Sequence, residues 1–315
     1  MEKLPIELVT HIFQVAAYLF RSTDRGAVVR LTLTSSFVYN AVAPILYERL
    51  IIASKSEIDG FLKLMMEGQA TVGNVLKHAR FMCTGPRCFD IPSWAAALLV
   101  KVDTVHCPTE VWYRISRAQV ERRLPVVRTI HIWQLGLTMT SHAHLPNLRM
   151  LTRIHCFLPY RSVYLMPDEN GPGSAWLGRM LQLLPSLTHL GFSHIGSSSF
   201  RQFAEKVRIE EFERMVRTLV ACQQPCIQVF ALRFVGLTAA CLRAHIHAAR
   251  EVDNDWVTQK MRVWVDMRGD GTYRAEEESL FEDARNERSI WTEAKPLSAY
   301  VFAPQALPLL AIEWY

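Results

Sequence analysis

The chain lacks an apolar run long enough to cross a membrane. Its longest, residues 94–100, falls far short of the roughly 20 residues a spanning helix needs. It also lacks a secretory leader by pattern, because Glu2 and Pro5 stand where such a leader carries basic and long apolar stretches. Cysteine is sparse: seven in 315 residues, an odd number thinly spread. That fits reduced thiols in a cytoplasmic or nuclear protein better than a disulfide framework. Neither sign of charge dominates, with 35 Lys and Arg against 30 Asp and Glu, a net of +5. This excess admits acidic partners but is too small for a nucleic-acid binder. What is there in quantity is hydrophobic sequence, 50% of the residues, so the chain is globular and long enough for a large core or two domains.

Chemistry-bearing motifs are missing too. Cys83-x4-Cys88 has no second pair at metal spacing. His245 and His247 lie in a helical stretch, where two-residue spacing points them to different faces. Asp253 and Asp255 precede Trp256 as turn caps. Gly269-Asp270-Gly271 lacks a calcium loop's ligand series, and Gly171-Pro172-Gly173-Ser174 is not followed by the Lys of a phosphate loop. Arg114, Arg117, Arg122 and Arg123 surround Glu121 as a solvated helix face. No Gly-x-Ser-x-Gly elbow occurs. The expectation is a protein that is not an enzyme and carries no cofactor.

The first fifty residues are the most patterned. Pro5 suits a first helical turn. On a wheel of about 100° per residue, Leu8, Ile12, Val15, Ala16 and Leu19 form one stripe, widened by Val9, Phe13 and Phe20. The apolar arc spans roughly 180°, more than a helix uses against its own domain. Ser22, Thr23 or Asp24 would cap a second helix through Val28, Val29, Leu31 and Leu33. Ser35 or Ser36 would cap a third, carrying Phe37, Val38, Ala41 and Val42 to Pro44.

Leu4-Pro5-Ile6-Glu7-Leu8, Ile12-Phe13, an aromatic after a Ser pair at Phe37, and the closing Pro44-Ile45-Leu46-Tyr47 together resemble the F-box family. The resemblance covers roughly residues 3–50. It implies a helical domain that binds the Skp-type adaptor of cullin–RING ubiquitin ligases through Leu4, Pro5, Leu8, Ile12 and Leu31. The chain departs from the family pattern at Arg25 and Gly26, where apolar residues are usual, and at Ser36, where a basic residue is usual.

Beyond residue 46 a hexad recurs: apolar, two variable, apolar, one variable, apolar. It falls at 47–52, 76–81, 102–107, 127–132, 151–156, 187–192 and 227–232, with starts 29, 26, 25, 24, 36 and 40 residues apart. A period near 25 is the mark of a strand-plus-helix solenoid. Helical spacing fills the gaps, as in Ile58, Phe61, Leu62, Met65 and Met66, in Trp176, Leu177, Met180, Leu181 and Leu184, and in Phe212, Met215, Val216, Leu219 and Val220. Short strands separated by helices imply a parallel sheet. The region resembles a degenerate leucine-rich repeat, which fungal F-box proteins often place after the F-box, and Leu46 to Ile52 looks like their junction.

Residues 166–173 read as an exposed loop. Val263, Val265 and Met267 alternate before Arg268-Gly269-Asp270-Gly271, the pattern of a hairpin, and residues 276–288 read as a charged helix. The stretch from Tyr300, with Pro304 and Pro308, would cap the array's open end.

Side chains alternate along a strand, so the third, fifth and seventh hexad positions face away from the core. The fifth reads Ile51, Arg80, His106, His131, His155, Gly191, Ala231; the third includes His78, Arg153 and His189; Trp133 and Phe157 are seventh. Arg80, His106, His131, His155, Arg153, His189, Trp133 and Phe157 are the candidate face for an acidic target protein. Three imidazoles on neighbouring strands raise zinc as a rival reading. A straight ladder, however, sets the outer pair near 10 Å apart, and no carboxylate stands behind them.

The expected architecture is α/β: a three-helix F-box-like domain (1–46), an irregular leucine-rich-repeat-like solenoid with a parallel sheet (47–255) and a C-terminal hairpin and helix cap (256–315). The expected function is substrate recognition in a ubiquitin ligase, with the Skp-type adaptor and an unknown target protein as partners, without nucleic acid or membrane. The alternatives are a repeat scaffold that no longer binds the adaptor, and a metal-dependent enzyme using the histidine column.

Overall fold

The computed structural model describes residues 4–21, 23–68, 70–85, 101–121, 127–132, 146–158, 181–195, 203–221, 227–235, 239–266, 273–297 and 299. Trp133, Trp176 to Met180, Cys88, Arg122, Arg123, the 166–173 loop, the 268–271 turn and the stretch from Tyr300 lie outside the described residues. The chain is α/β, and its strands are mostly parallel. It divides into two compact units, Met1–Val127 with Phe281–Glu287, and Arg128–Leu280 with Arg288–Tyr315.

The first unit opens with helices α1 (Ile6–Phe20), α2 (Arg25–Thr32) and α3 (Ser36–Leu46). Two caps fall where the sequence predicts them. Asp24 accepts from the Ala27 N–H at 2.8 Å, and Ser35 from the Val38 N–H at 3.2 Å. Helix α3 runs two residues past Pro44. Proline lacks the N–H that would reach back to Asn40, and the exposed Asn40 can leave its carbonyl to water. The three helices enclose Ala17, Val28, Val38, Val42, Ile45 and Leu46, with Phe13, Leu31 and Tyr47 packed against them.

Then follow β1 (Arg49–Ile52), α4 (Lys55–Met66), α5 (Ala70–His78), β2 (Phe81–Thr84), β3 (Thr104–Cys107) and α6 (Thr109–Glu121). The three strands pair in parallel in chain order. Helix α6 buries Val111, Trp112, Ile115 and Ala118. Its buried Gln119 donates to the Val102 carbonyl at 3.4 Å and accepts from the Val127 N–H at 3.2 Å. Arg117, exposed, pairs with Glu121 at 2.7 Å, as a solvated face requires.

The second unit contains β4 (Thr129–Ile132), a 3-10 turn (Pro146–Met150), β5 (Arg153–Leu158), β6 (His189–Ile195), α7 (Phe203–Ala221), β7 (Val229–Val235), α8 (Ala239–Val252), α9 (Asn254–Lys260) and β8 (Met261–Asp266). After these come α10 (Tyr273–Arg285), whose last turn belongs to the first unit, α11 (Ile290–Glu293) and β9 (Lys295–Pro296). Strands β4 to β8 are parallel and in chain order, and β9 pairs antiparallel with β8. Asp253 caps α9 through the Trp256 N–H at 2.9 Å. In α8, His245 is buried against Phe212 and Phe234 while His247 lies exposed, the two faces that their spacing demands.

The hexad has a backbone counterpart. The carbonyl at its second position accepts two N–H groups from the start of the next strand. Glu48 receives Arg80 and Phe81, Arg80 receives Asp103 and Thr104, Arg128 receives Thr152 and Arg153, Thr152 receives Thr188 and His189, and Thr188 receives Gln228 and Val229, all at 2.8–3.2 Å. First-position residues Ala79, Val102, Val127, Leu151, Leu187 and Ile227 are buried, as are Met82, Val105, Ile130, Ile154, Leu190 and Phe230 at the fourth. Apart from the small Ala79, each such side chain contributes about 1.5–3 kcal/mol of burial.

Two expectations are corrected. The copy read at 76–81 slips by three residues: its first half lies in α5, and the strand begins at Phe81. Thr84, buried at the true sixth position, breaks the apolar rule and hid the correct register. The fifth-position residue of β2 is therefore Cys83, paired with Ile51 and His106, and Arg80 is second. The hairpin after β8 is replaced by a helix that begins at Tyr273. The antiparallel neighbour of β8 is instead the remote Lys295–Pro296.

Candidate functional site

On α1 the inward residues are Ala17, fully buried, and Phe13. The other side of the helix is exposed and apolar: Leu8 at 44%, Ile12 at 49%, Val15 at 42% and Leu19 at 67%. Their spacing of four, three and four residues puts all four on one face. Leu4 and Pro5, just before the helix, are also exposed. Leu31 differs, because it packs against the three-helix core.

The hexad face is a different surface from the one expected. His106, in the first unit, is buried, with its ring 4.9 Å from Phe81, over which the Arg49 guanidinium stacks at 4.1 Å. In the second unit His131 and His155 are buried as well. Their Nδ1 atoms lie 3.0 Å apart, and His155 Nε2 is 2.8 Å from Ser193 Oγ. A contact between two imidazole nitrogens needs one N–H and one lone pair, so two neutral rings satisfy it. Burial, and then the charge of Arg153, lowers the pKa of His131 to about 3; burial, His131 and Arg233 hold His155 well below the usual imidazole range.

The cover is helix α11. Trp291 sets its indole within 6.1 Å of His131, 6.3 Å of His155 and 5.5 Å of His189, and Ile290 is buried against Ala231 and Trp264. Gly191 makes room: a Cβ there would stand 2.9 Å from the Trp291 ring and 3.3 Å from Ile290. Among the described residues of this face, Arg153 at the margin is exposed and His189 half-buried. Phe157 lies in β5, its side chain outside the described residues, and Arg80 is exposed beside β2. Trp291 and Arg262, which border this margin, were not expected. The only local signal for Trp291 was the Ser289-x-x-Thr292 pattern, which forms a capping box.

Among the described residues no group of three His, Cys, Asp or Glu side chains could share a metal. Cys83, Cys107 and Cys156 are buried and in no disulfide, and burial raises the Cys156 thiol far above its ordinary range. No described helix is long and apolar enough to cross a membrane. The chain matches no protein-family model and no curated protein sequence.

Proposed function

We propose that this chain is a substrate-recognition subunit of a cullin–RING ubiquitin ligase. Its three N-terminal helices act as an F-box that binds a Skp-type adaptor, and its α/β remainder, an irregular leucine-rich-repeat-like array, holds a target protein. The observation that carries the reading is the exposed apolar face of α1. A helix with Ala17 and Phe13 already packed inward presents Leu8, Ile12, Val15 and Leu19 outward, and such a face is what a partner interface requires. The Leu4-Pro5 start lies beside it. The mechanism is proximity: tethering raises the effective concentration of the target's lysines near a ubiquitin-loaded enzyme, and this chain supplies no catalytic group. The compartment is the cytoplasm or nucleus, which the buried cysteines outside any disulfide support.

The test is co-expression with a Skp-type adaptor followed by size-exclusion chromatography. A one-to-one complex is expected, and it should be lost when Leu8→Asp and Ile12→Asp are introduced together. Both positions are exposed, so circular dichroism of the variant should match the parent. A folded chain that elutes apart from the adaptor would overturn the reading and leave a repeat-type interaction scaffold.

A further inference from the structure

A cavity of about 180 Å³ opens at the margin of the second unit's sheet, beside Trp291. Strand register builds it. Arg153 of β5, His189 of β6 and Val229 of β7 are lateral neighbours, and Arg262 of β8 pairs with Ala231 of β7. The small side chains of Val229 and Ala231 leave the space, and the long arginines flank it. Among the described residues, every titratable group in its wall is basic: Arg153, Arg262 and His189. A larger cavity in the first unit, about 420 Å³, is different in kind, because Glu287 stands in its wall and pairs with Arg21 at 2.7 Å and Arg49 at 3.6 Å.

Donors in the small cavity are available. Arg153 has no ion pair or side-chain hydrogen bond among the described residues. Arg262 commits Nη1 to the carbonyls of Gln259 and Met261, at 3.0 Å each, which fixes the guanidinium and leaves its remaining N–H groups. Trp291 lines the same cavity, so its indole signal reports on what enters. A guanidinium presents its donors in a planar fork that matches a carboxylate or a phosphate. The volume lies below the range of about 300–1,000 Å³ used for whole small molecules, so it suits one functional group.

We propose that this cavity is an oxyanion site, taking a single carboxylate or phosphate group between Arg153 and Arg262, with Trp291 in its wall. The site stands on the second unit alone and does not depend on adaptor binding.

The test uses the full chain labelled with ¹⁵N and follows its indole N–H signals, with Trp291→Phe identifying the relevant one. Inorganic phosphate is titrated in one arm and malonate in the other, at constant ionic strength held with chloride. The Trp291 signal should move saturably, and Arg153→Gln and Arg262→Gln should each weaken the apparent affinity roughly tenfold or more. Movement in the phosphate arm alone would assign a phosphoryl group, and in the malonate arm alone a carboxylate. The other indole signals report whether each variant is folded, and should Arg262→Gln perturb them, the exposed Arg153 decides. A Trp291 signal that stays still in both arms, or moves equally in both arginine variants, overturns the proposal.

Discussion

The buried pair His131 and His155 couples the fold to pH. An unfolded imidazole titrates near pH 6.5. In the folded chain His131 is held at about 3 and His155 is also strongly lowered, each chiefly by burial, with Arg153 and Arg233 as the nearby charges. Below pH ~6.5 the unfolded state therefore binds protons that the folded state refuses. Stability is whole above that pH and drains as pH falls from there towards about 3, by up to ~1.4 kcal/mol per pH unit for each ring. Urea unfolding at about pH 7, 6, 5 and 4.5 should trace this fall, and His131→Gln with His155→Gln should flatten it while lowering stability at neutral pH. An acid limb unchanged in the double variant would show that other groups set it. Strand alternation gave the correct parity for both histidines, opposite to Ile130 and Ile154. What it could not give was their burial, because the cover comes from α11, more than a hundred residues further on, and no local pattern links the two.

Among the elements, the hexad was readable because a strand of four to seven residues between helices needs apolar side chains at fixed positions, and six of seven copies carry a strand that begins at their third position. The seventh misled because a helix's last turn also offers apolar residues three apart, and because Thr84 is buried where an apolar residue was expected. The fit of α11 onto the sheet gives a sharp prediction. Gly191→Ala would place a methyl 2.9 Å from the Trp291 ring, in a spot bounded also by Ile290. The ring must shift or the helix must lift, at a cost of about 1–3 kcal/mol. Thermal unfolding should fall accordingly, and Trp291→Ala in the same chain should remove most of the added penalty. Additive losses in the double variant would mean that Gly191 is there for another reason.

For the whole molecule, the apolar face of α1 predicts behaviour as much as partnership. Expressed alone, the chain should self-associate, since Leu8, Ile12, Val15 and Leu19 are left to water. Leu8→Asp with Ile12→Asp should reduce that association in light scattering while changing unfolding free energy by only about 0.5 kcal/mol for each exposed position. Equal aggregation of parent and variant would place the cause elsewhere. Expected boundaries at 46/47 and 255/256 came from changes of pattern along the chain. The compact units follow contacts instead, which is why Phe281–Glu287 groups with Met1–Val127. That grouping has a consequence for the order of synthesis. Arg21 and Arg49 leave the ribosome early, yet their shared carboxylate, Glu287, follows Arg21 by 266 residues. Glu287 also holds a positive φ of 62°, a left-handed conformation that a non-glycine residue rarely adopts. The N-terminal unit is thus the first to begin and among the last to be finished. A nascent chain stalled before Phe281 already has Glu48 to pair with Arg21, but it lacks the one carboxylate that Arg21 and Arg49 share.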